Sequence, residues 1–436
     1  MPTISLHTLG CKLNFAETST IGKQFLDRGF ALVDFGKPAD VCVINTCSVT
    51  ERADRECRQV IRRALRTSKD PFVIVTGCYA QLEPEEVASI DGVDLVLGAR
   101  EKFNCFDYIG TLEKKPSPHV FVSNIESVDN FGHGYSTPAG ERTRAYLKVQ
   151  DGCDFHCSFC TIPLARGASR SQSIEACLAQ AHAIILQGYK EVVLTGVNVG
   201  DYGRKSGVSL LSLLRELVRV DGLERVRISS IEPNLLTQEL IDFVAATDTM
   251  CDHFHIPLQS GSDEILRGMR RRYTTAKYKD LIHRVKERIP DCGIGVDVIV
   301  GFPGETDAHF DKTYLFLNEL PVSYLHVFTY SERPNTPAIG FGNAVEPKKR
   351  FERNEMLRIL SQKKKRAFYE SLVGRTVPLL TERDVEGSLR FGFTGNYARV
   401  GVPAEHTSAN TIVHVKIVGV DTDRCVGRIV EQEALA

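Results

Sequence analysis

Cys153, Cys157 and Cys160 stand within eight residues of one another, in "DGCDFHCSFC". Three soft thiolates in one loop suit an iron at each of three corners of an iron–sulfur cube and leave the fourth iron without a protein ligand. Such an open iron can bind a substrate or cofactor. Zinc is the competing reading, but a structural zinc is closed by four ligands and would have to recruit His156 or a distant residue.

A second set of three is dispersed. Cys11, Cys47 and Cys78 close the short apolar runs "TISLHTLGC", "DVCVINTCS" and "PFVIVTGC". Amphipathic stretches, "AETSTIGKQFLDRGF" and "RADRECRQVIRRALRTS", separate these runs, and "VDLVLGA" follows them. Strands alternating with helices predict an open parallel sheet, whose ligand crevice lies at the carboxyl ends of its strands. Each cysteine alone reads as a small buried hydrophobe. At equivalent strand ends the three are expected to converge.

The loop "DGCDFHCSFC" must itself be positioned, and it follows the first of six further strand candidates. These are "RAYLKVQ", "EVVLTGV", "RVRISSI", "HFHIPLQ", "GVDVIVGF" and "YLHVFTY", separated by helical stretches. The pattern predicts a βα barrel, complete or partial, with its functional edge at the carboxyl ends of the strands. Turns on that edge include "TGVNVGDYG", "SSIEP", "HIPLQSGS" and "DVIVGFPGET". Alone, each is an ordinary turn. Gly301 and Gly304 are candidates for close backbone approach to a ligand.

Residues 101 to about 140 read as a connector, rich in Pro, Gly and polar residues. A basic helix closes the second series near residue 374, and five short β-rich runs then predict a small OB-like barrel. The fold class is therefore α/β in three modules: an open parallel sheet (1–125), a partial TIM-type barrel (139–370) and a small all-β barrel (371–434).

The 436 residues carry a formal net charge of -1, which excludes a globally basic nucleic-acid binder and leaves local patches. Thirteen cysteines without a secretion signal argue against a disulfide framework. No run approaches the roughly 18 apolar residues of a membrane span, and the chain reads as cytoplasmic. Patch candidates are Arg267, Arg270, Arg271 and Arg272 in "RGMRRRY", "KKKR" at 363–366, and the helix 52–69 with its seven basic residues. Phe391, Phe393 and Tyr397 are candidates for stacking on bases. Charge runs are also commonly just solvated helix faces. Cys42, Cys57, Cys105, Cys177, Cys251, Cys292 and Cys425 share no ligand spacing.

The spacing of Cys153, Cys157 and Cys160, with Phe159 before the last, resembles the signature of the radical S-adenosylmethionine (SAM) superfamily. The whole chain resembles the methylthiotransferase family through "TLGCKLNFAET", "NTCSVT", "TGCYAQ", "GCDFHCSFCTIPLARGASRSQ", "HIPLQSGSDEILRGMRRRYT" and "VIVGFPGET". That resemblance implies two [4Fe-4S] clusters, one on Cys11, Cys47 and Cys78, the other, which chelates SAM, on Cys153, Cys157 and Cys160. It implies SAM contacts from the barrel edge, for which Phe159, Gly196, Asn198, Glu232, Gln259 and Gly301 are candidates, and a terminal TRAM domain that binds RNA. SAM then serves as both methyl donor and radical source, and the cofactor carries the hard chemistry.

"TLGCKLN" and "NFAET" are most similar to the branch that acts on N6-threonylcarbamoyladenosine beside the tRNA anticodon. The implied partners are the tRNA anticodon stem-loop, a sulfur source and a flavodoxin- or ferredoxin-type electron donor. Rival readings are methylthiolation of isopentenyladenosine or of a ribosomal protein, and a non-catalytic iron–sulfur RNA-binding protein.

Overall fold

A computed structural model describes all residues except 115, 128–130, 137–142 and 431–436. The expected start of the second module at 139, and residues 431–434 of the third, lie outside the described residues.

The first module is a six-stranded parallel sheet of β1 (Thr3–Thr8), β2 (Ala31–Val33), β3 (Val41–Thr46), β4 (Phe72–Gly77), β5 (Leu95–Leu97) and β6 (His119–Phe121), in the order β2-β1-β3-β4-β5-β6. The central β3 and β4 are buried at every position, which is why they read as mostly apolar runs without an alternating polar face. Separate apolar clusters cover the two faces, one around Ile44, Val73 and Val75, the other around Ile4, Val43 and Ile74. Two edge strands went unrecognised in the sequence. β6 pairs Leu95 with His119, so part of the supposed connector belongs to this sheet. Its three residues are all exposed, leaving no alternation to read.

The second module contains β7 (Arg144–Lys148), β8 (Gln150–Asp151), β9 (Arg170–Ser171), β10 (Glu191–Thr195), β11 (Arg225–Ile228), β12 (His253–His255), β13 (Gly293–Val300) and β14 (Tyr324–Thr329). Six of these form a parallel arc: β7-β10-β11 and β12-β13-β14 are joined by single parallel bridges at Val226–Met250 and Ser230–His255. Among the described residues no pairing joins β14 back to β7. The barrel is therefore partial.

Ala145, Leu147, Val192 and Leu194 lie in the core under the outer helices, so Tyr146 and Val193, between them in sequence, face inward. Phe15 and Ala16 of helix α1 (Lys12–Leu26) pack on that Tyr146–Val193 surface, which places the first module against the inner face of the arc.

After the helix Pro347–Ser371 the chain closes a five-stranded barrel of β15 (Thr376–Glu386), β16 (Leu389–Thr394), β17 (Arg399–Pro403), β18 (Ile412–Asp421) and β19 (Arg424–Ile429). All five expected strands form.

Candidate active site

Cys47 and Cys78 directly follow β3 and β4, and Cys11 stands three residues past β1, the strand beside β3. The approach is tight: a Cβ added at Gly10, whose φ is +92°, would lie 2.7 Å from the Cys47 sulfur. Burial pushes the Cys47 thiol up to about 12, and Cys78 and Cys11 add to the effect. The three cysteines thus stand at the carboxyl edge of the adjacent strands β1, β3 and β4.

The second triplet is held by a neck. β8 and β9 pair antiparallel and bracket the loop, and Cys153 N donates to Gly167 O at 3.0 Å. Only glycine fits at 152, where φ is +69° and a Cβ would meet Ala168 O at 2.1 Å. Burial raises Cys160 to about 12, with Cys157 and Cys153 contributing, and Cys153 to about 11. Arg271 Nη1 donates to Cys157 Sγ at 3.2 Å.

This donor chemistry fits metal clusters. Thiols that burial keeps protonated become ligands only when a cation displaces the proton. Among the described residues no group of three or more His, Cys, Asp or Glu could hold a single ion. Three soft thiolates in a set leave one metal position without a protein ligand, a donor set that suits an iron–sulfur cube.

Glu17 locks the two triplets into one assembly. This fully buried carboxylate of α1 receives Lys102 Nζ at 2.6 Å, Lys148 Nζ at 2.9 Å and Arg166 Nη1 at 3.0 Å. Arg166 and Lys148 also bind Asp151, at 3.0 and 2.7 Å. Burial alone would raise the Glu17 carboxyl, but Arg166, Lys102 and Lys148 outweigh it and hold it well below the ordinary range. Arg166 ends the helix Ile162–Arg166 that follows Cys160, and that helix packs on the one beginning at Cys78. On the other side Arg333 donates to Asp54 Oδ2 at 2.6 Å and Ser48 Oγ at 2.8 Å.

The two cysteine-bearing loops share a cavity of about 210 Å³. One wall is Val49 and Thr50, just after Cys47; another is Phe159, Cys160 and Thr161; Gln259, Asp297, Ile299 and residues 328–331 complete it. Tyr330 Oη in this lining is buried with no partner among the described residues.

The expected SAM contacts divide. Phe159 and Gln259 line the cavity, and Gln259 holds a left-handed backbone, φ +69°. Asn198 is buried with both side-chain polar atoms unpartnered among the described residues, as befits a group kept for a polar ligand. Gly196 packs on Gln150, whose Oε1 also receives Asn198 N at 2.8 Å. Glu232 is bound by Arg271. At Gly301, where φ is +79°, a Cβ would lie 2.3 Å from Arg350 Cγ, so packing on Arg350 already requires glycine there.

The RNA candidates also divide. Arg271 is nearly buried at the cluster loop, while Arg267, Arg270 and Arg272 are exposed, Arg272 stacking 4.0 Å over Phe155. Phe391 is fully buried in the terminal barrel and unavailable to a base. Lys364 is tied to Asn318 O and Leu320 O at 3.0 and 2.7 Å, which removes it from the "KKKR" patch. Phe393 and Tyr397 stack at 4.9 Å and remain partly exposed. Glu17, Arg166, Arg333 and Tyr330 were not singled out as site residues in the sequence. Glu17 and Arg166 lie inside the quoted motifs, but their partners lie up to 152 residues away.

Residues 147–317 match the Radical SAM superfamily, and residues 3–98 match Uncharacterized protein family UPF0004. The chain is 41% identical over 424 residues to threonylcarbamoyladenosine tRNA methylthiotransferase MtaB of Bacillus subtilis, covering 96% of this chain and 94% of that one. It is 33% identical to tRNA-2-methylthio-N(6)-dimethylallyladenosine synthase of Methylacidiphilum infernorum, covering 88% and 84%. Among solved structures, the radical S-adenosylmethionine methyltransferase TsrM of Kitasatospora setae superposes with a TM-score of 0.56 at 14% identity, covering 94% and 82%, a likeness of fold. The chain belongs to the radical-SAM methylthiotransferase family.

Proposed function

We propose that the chain is a tRNA methylthiotransferase that converts N6-threonylcarbamoyladenosine at tRNA position 37 to its 2-methylthio derivative. The observation that carries this reading is one cavity lined by both the loop after Cys47 and the loop that runs on from Cys160, which meet where Thr161 Oγ1 donates to Ser48 O at 3.4 Å. A base held there lies beside both cysteine-bearing loops, which is the proximity that sulfur insertion at an unreactive C2–H demands.

In this reading Cys11, Cys47 and Cys78 hold one [4Fe-4S] cluster, and Cys153, Cys157 and Cys160 hold the one that binds SAM. When bound, these groups supply C–H activation, the sulfur and the methyl group. The chain's own residues orient and exclude water. Phe159, Ile299 and Phe328 give the cavity apolar surface, while Gln259 and the free Tyr330 hydroxyl offer polar contacts to the base. Asn198, Glu232 and Gly196 stand at the barrel edge for SAM. The Glu17 and Arg333 locks keep the two walls at fixed separation.

The three modules, 1–125, 139–370 and 371–434, divide the work into sulfur-carrying cluster, radical core and TRAM-type RNA binding. Exposed Arg267, Arg270 and Arg272 serve the phosphates of the anticodon stem-loop. A flavodoxin- or ferredoxin-type protein supplies electrons, and a separate donor supplies sulfur. Among the described residues no helix is long and apolar enough to cross a membrane, and we place the enzyme in the cytoplasm with its tRNA.

The test is nucleoside mass spectrometry of tRNA from cells lacking the gene. The 2-methylthio derivative of threonylcarbamoyladenosine should vanish and return on complementation. Its persistence overturns the substrate assignment, and loss of the isopentenyl product in its place transfers the enzyme to that branch.

A further inference from the structure

The inner face of the arc is unusually polar. Phe254, Val296, Val298 and Leu325 belong to the outer core, so His253, His255, Asp297, Tyr324 and His326 point inward. His255 Nε2 and Asp297 Oδ1 pair at 2.8 Å, and His255 stacks on His326 at 5.2 Å. Lys12, the residue after Cys11 and the first of α1, interacts electrostatically with Tyr397, with the cations Arg227 and Arg144, with Asp297 and with His326.

The other charges near this floor are matched. Arg225 and Arg227 bind Glu191 at 3.0 and 2.8 Å, Arg144 binds Glu382 at 3.2 Å, and Asp297 has His255. Lys12 alone among these cations makes no hydrogen bond or ion pair to a described residue, although the side chain is partly enclosed. An ammonium withdrawn from water without its anion is costly, and the cost is recovered when a ligand brings one. Asp297 links the two regions, since it lines the reaction cavity and also neighbours Lys12.

The substrate reading above, on which this inference rests, supplies such an anion. The threonylcarbamoyl arm on N6 ends in a carboxylate, whereas an isopentenyl arm is uncharged. C2 and N6 flank N1 of adenine on opposite sides, so a base that turns C2 toward Cys160 sends its arm away from that wall. We propose that Lys12 is the specificity residue that binds the carboxylate of the N6 arm.

The test uses cluster-loaded enzyme and two anticodon stem-loop RNAs, one bearing N6-threonylcarbamoyladenosine and one its methyl ester, which has no carboxylate charge. With unaltered enzyme, kcat/KM should fall from acid to ester by about tenfold to a hundredfold, the range for a hydrogen bond to a charged group. Lys12→Met should lose the same factor on the acid and show no further loss on the ester. Lys12→Arg should keep a preference for the acid.

Full turnover of the acid by Lys12→Met overturns the proposal, as does an equal loss on both RNAs, which marks a structural role. Iron content and RNA-free SAM cleavage are read on the same preparations. If Lys12→Met loses iron, the decision passes to Lys12→Arg, and absence of an acid preference there overturns the proposal. Failure of the unaltered enzyme to modify the acid RNA overturns the substrate reading instead.

Discussion

Arg271 donates from Nη1 to the Cys157 sulfur at 3.2 Å, from inside the barrel edge and with only 4% of its side chain exposed. Its other amine binds Glu232, and its Nε meets the Tyr273 hydroxyl at 3.1 Å. A cationic donor on a ligating sulfur stabilises the reduced, more negative cluster, so hydrogen bonds of this kind tune reduction potentials. Arg271→Met should retain iron but shift the potential of the SAM-binding cluster negative, about 59 mV for each tenfold change in this one-electron equilibrium. An electron-paramagnetic-resonance redox titration measures it, and an unchanged midpoint reduces Arg271 to a packing role.

Glu17 is the sole carboxylate that Lys102, Lys148 and Arg166 share, and removing it leaves three buried cations with Asp151 alone. Breaking a buried ion pair from one side costs about 3–5 kcal/mol. Glu17→Gln should therefore lower stability on that scale and loosen the first module from the arc. Thermal unfolding together with hydrogen exchange in α1 reads the effect, and wild-type protection in the variant would show that other contacts hold the interface.

The sequence carries the two triplets and most of the elements because both depend on local pattern. β3 and β4 are short, fully buried and mostly apolar strands, and the cysteines sit just past their ends. What was hidden depended on distant partners. Arg271 is one of three consecutive arginines in "RRRY", and nothing local separates the one that turns inward from exposed Arg272. Phe391 sits between Arg390 and Gly392 like any strand aromatic, but barrel closure puts it inside. Lys102 lies in a single 3-10 turn, Glu101–Asn104, and is 2% exposed, with Glu17, 85 residues earlier, receiving its ammonium.

The triplets should separate by function. Replacing Cys153, Cys157 and Cys160 with Ala should remove about four irons per chain and abolish deoxyadenosine formation from SAM. Replacing Cys11, Cys47 and Cys78 should remove a similar amount of iron and abolish sulfur insertion while leaving reductive SAM cleavage measurable. Iron assay and chromatographic detection of deoxyadenosine decide. SAM cleavage that survives the first replacement breaks the assignment, and methylthio product that survives the second makes Cys11, Cys47 and Cys78 structural.

Arg227 joins the terminal barrel to the arc. It binds Glu191 Oε1 at 2.8 Å and reaches the carbonyls of Gly395 at 2.7 Å and Thr394 at 3.1 Å, with its guanidinium 5.0 Å over the Tyr397 ring. Burial would raise the Glu191 carboxyl, but Arg225 and Arg227 hold it at about 2. A carboxyl depressed in the folded state contributes stability that is complete above its unfolded value of about 4.3 and is lost as pH falls through the folded value. Arg227→Met removes one of the two cations, so the folded value rises and acid unfolding should begin at higher pH. The variant should also lose about 3–5 kcal/mol near neutrality. Denaturant unfolding monitored between pH 2 and pH 7 tests both. Parallel curves for variant and wild type would mean that Arg225 alone sets the Glu191 charge.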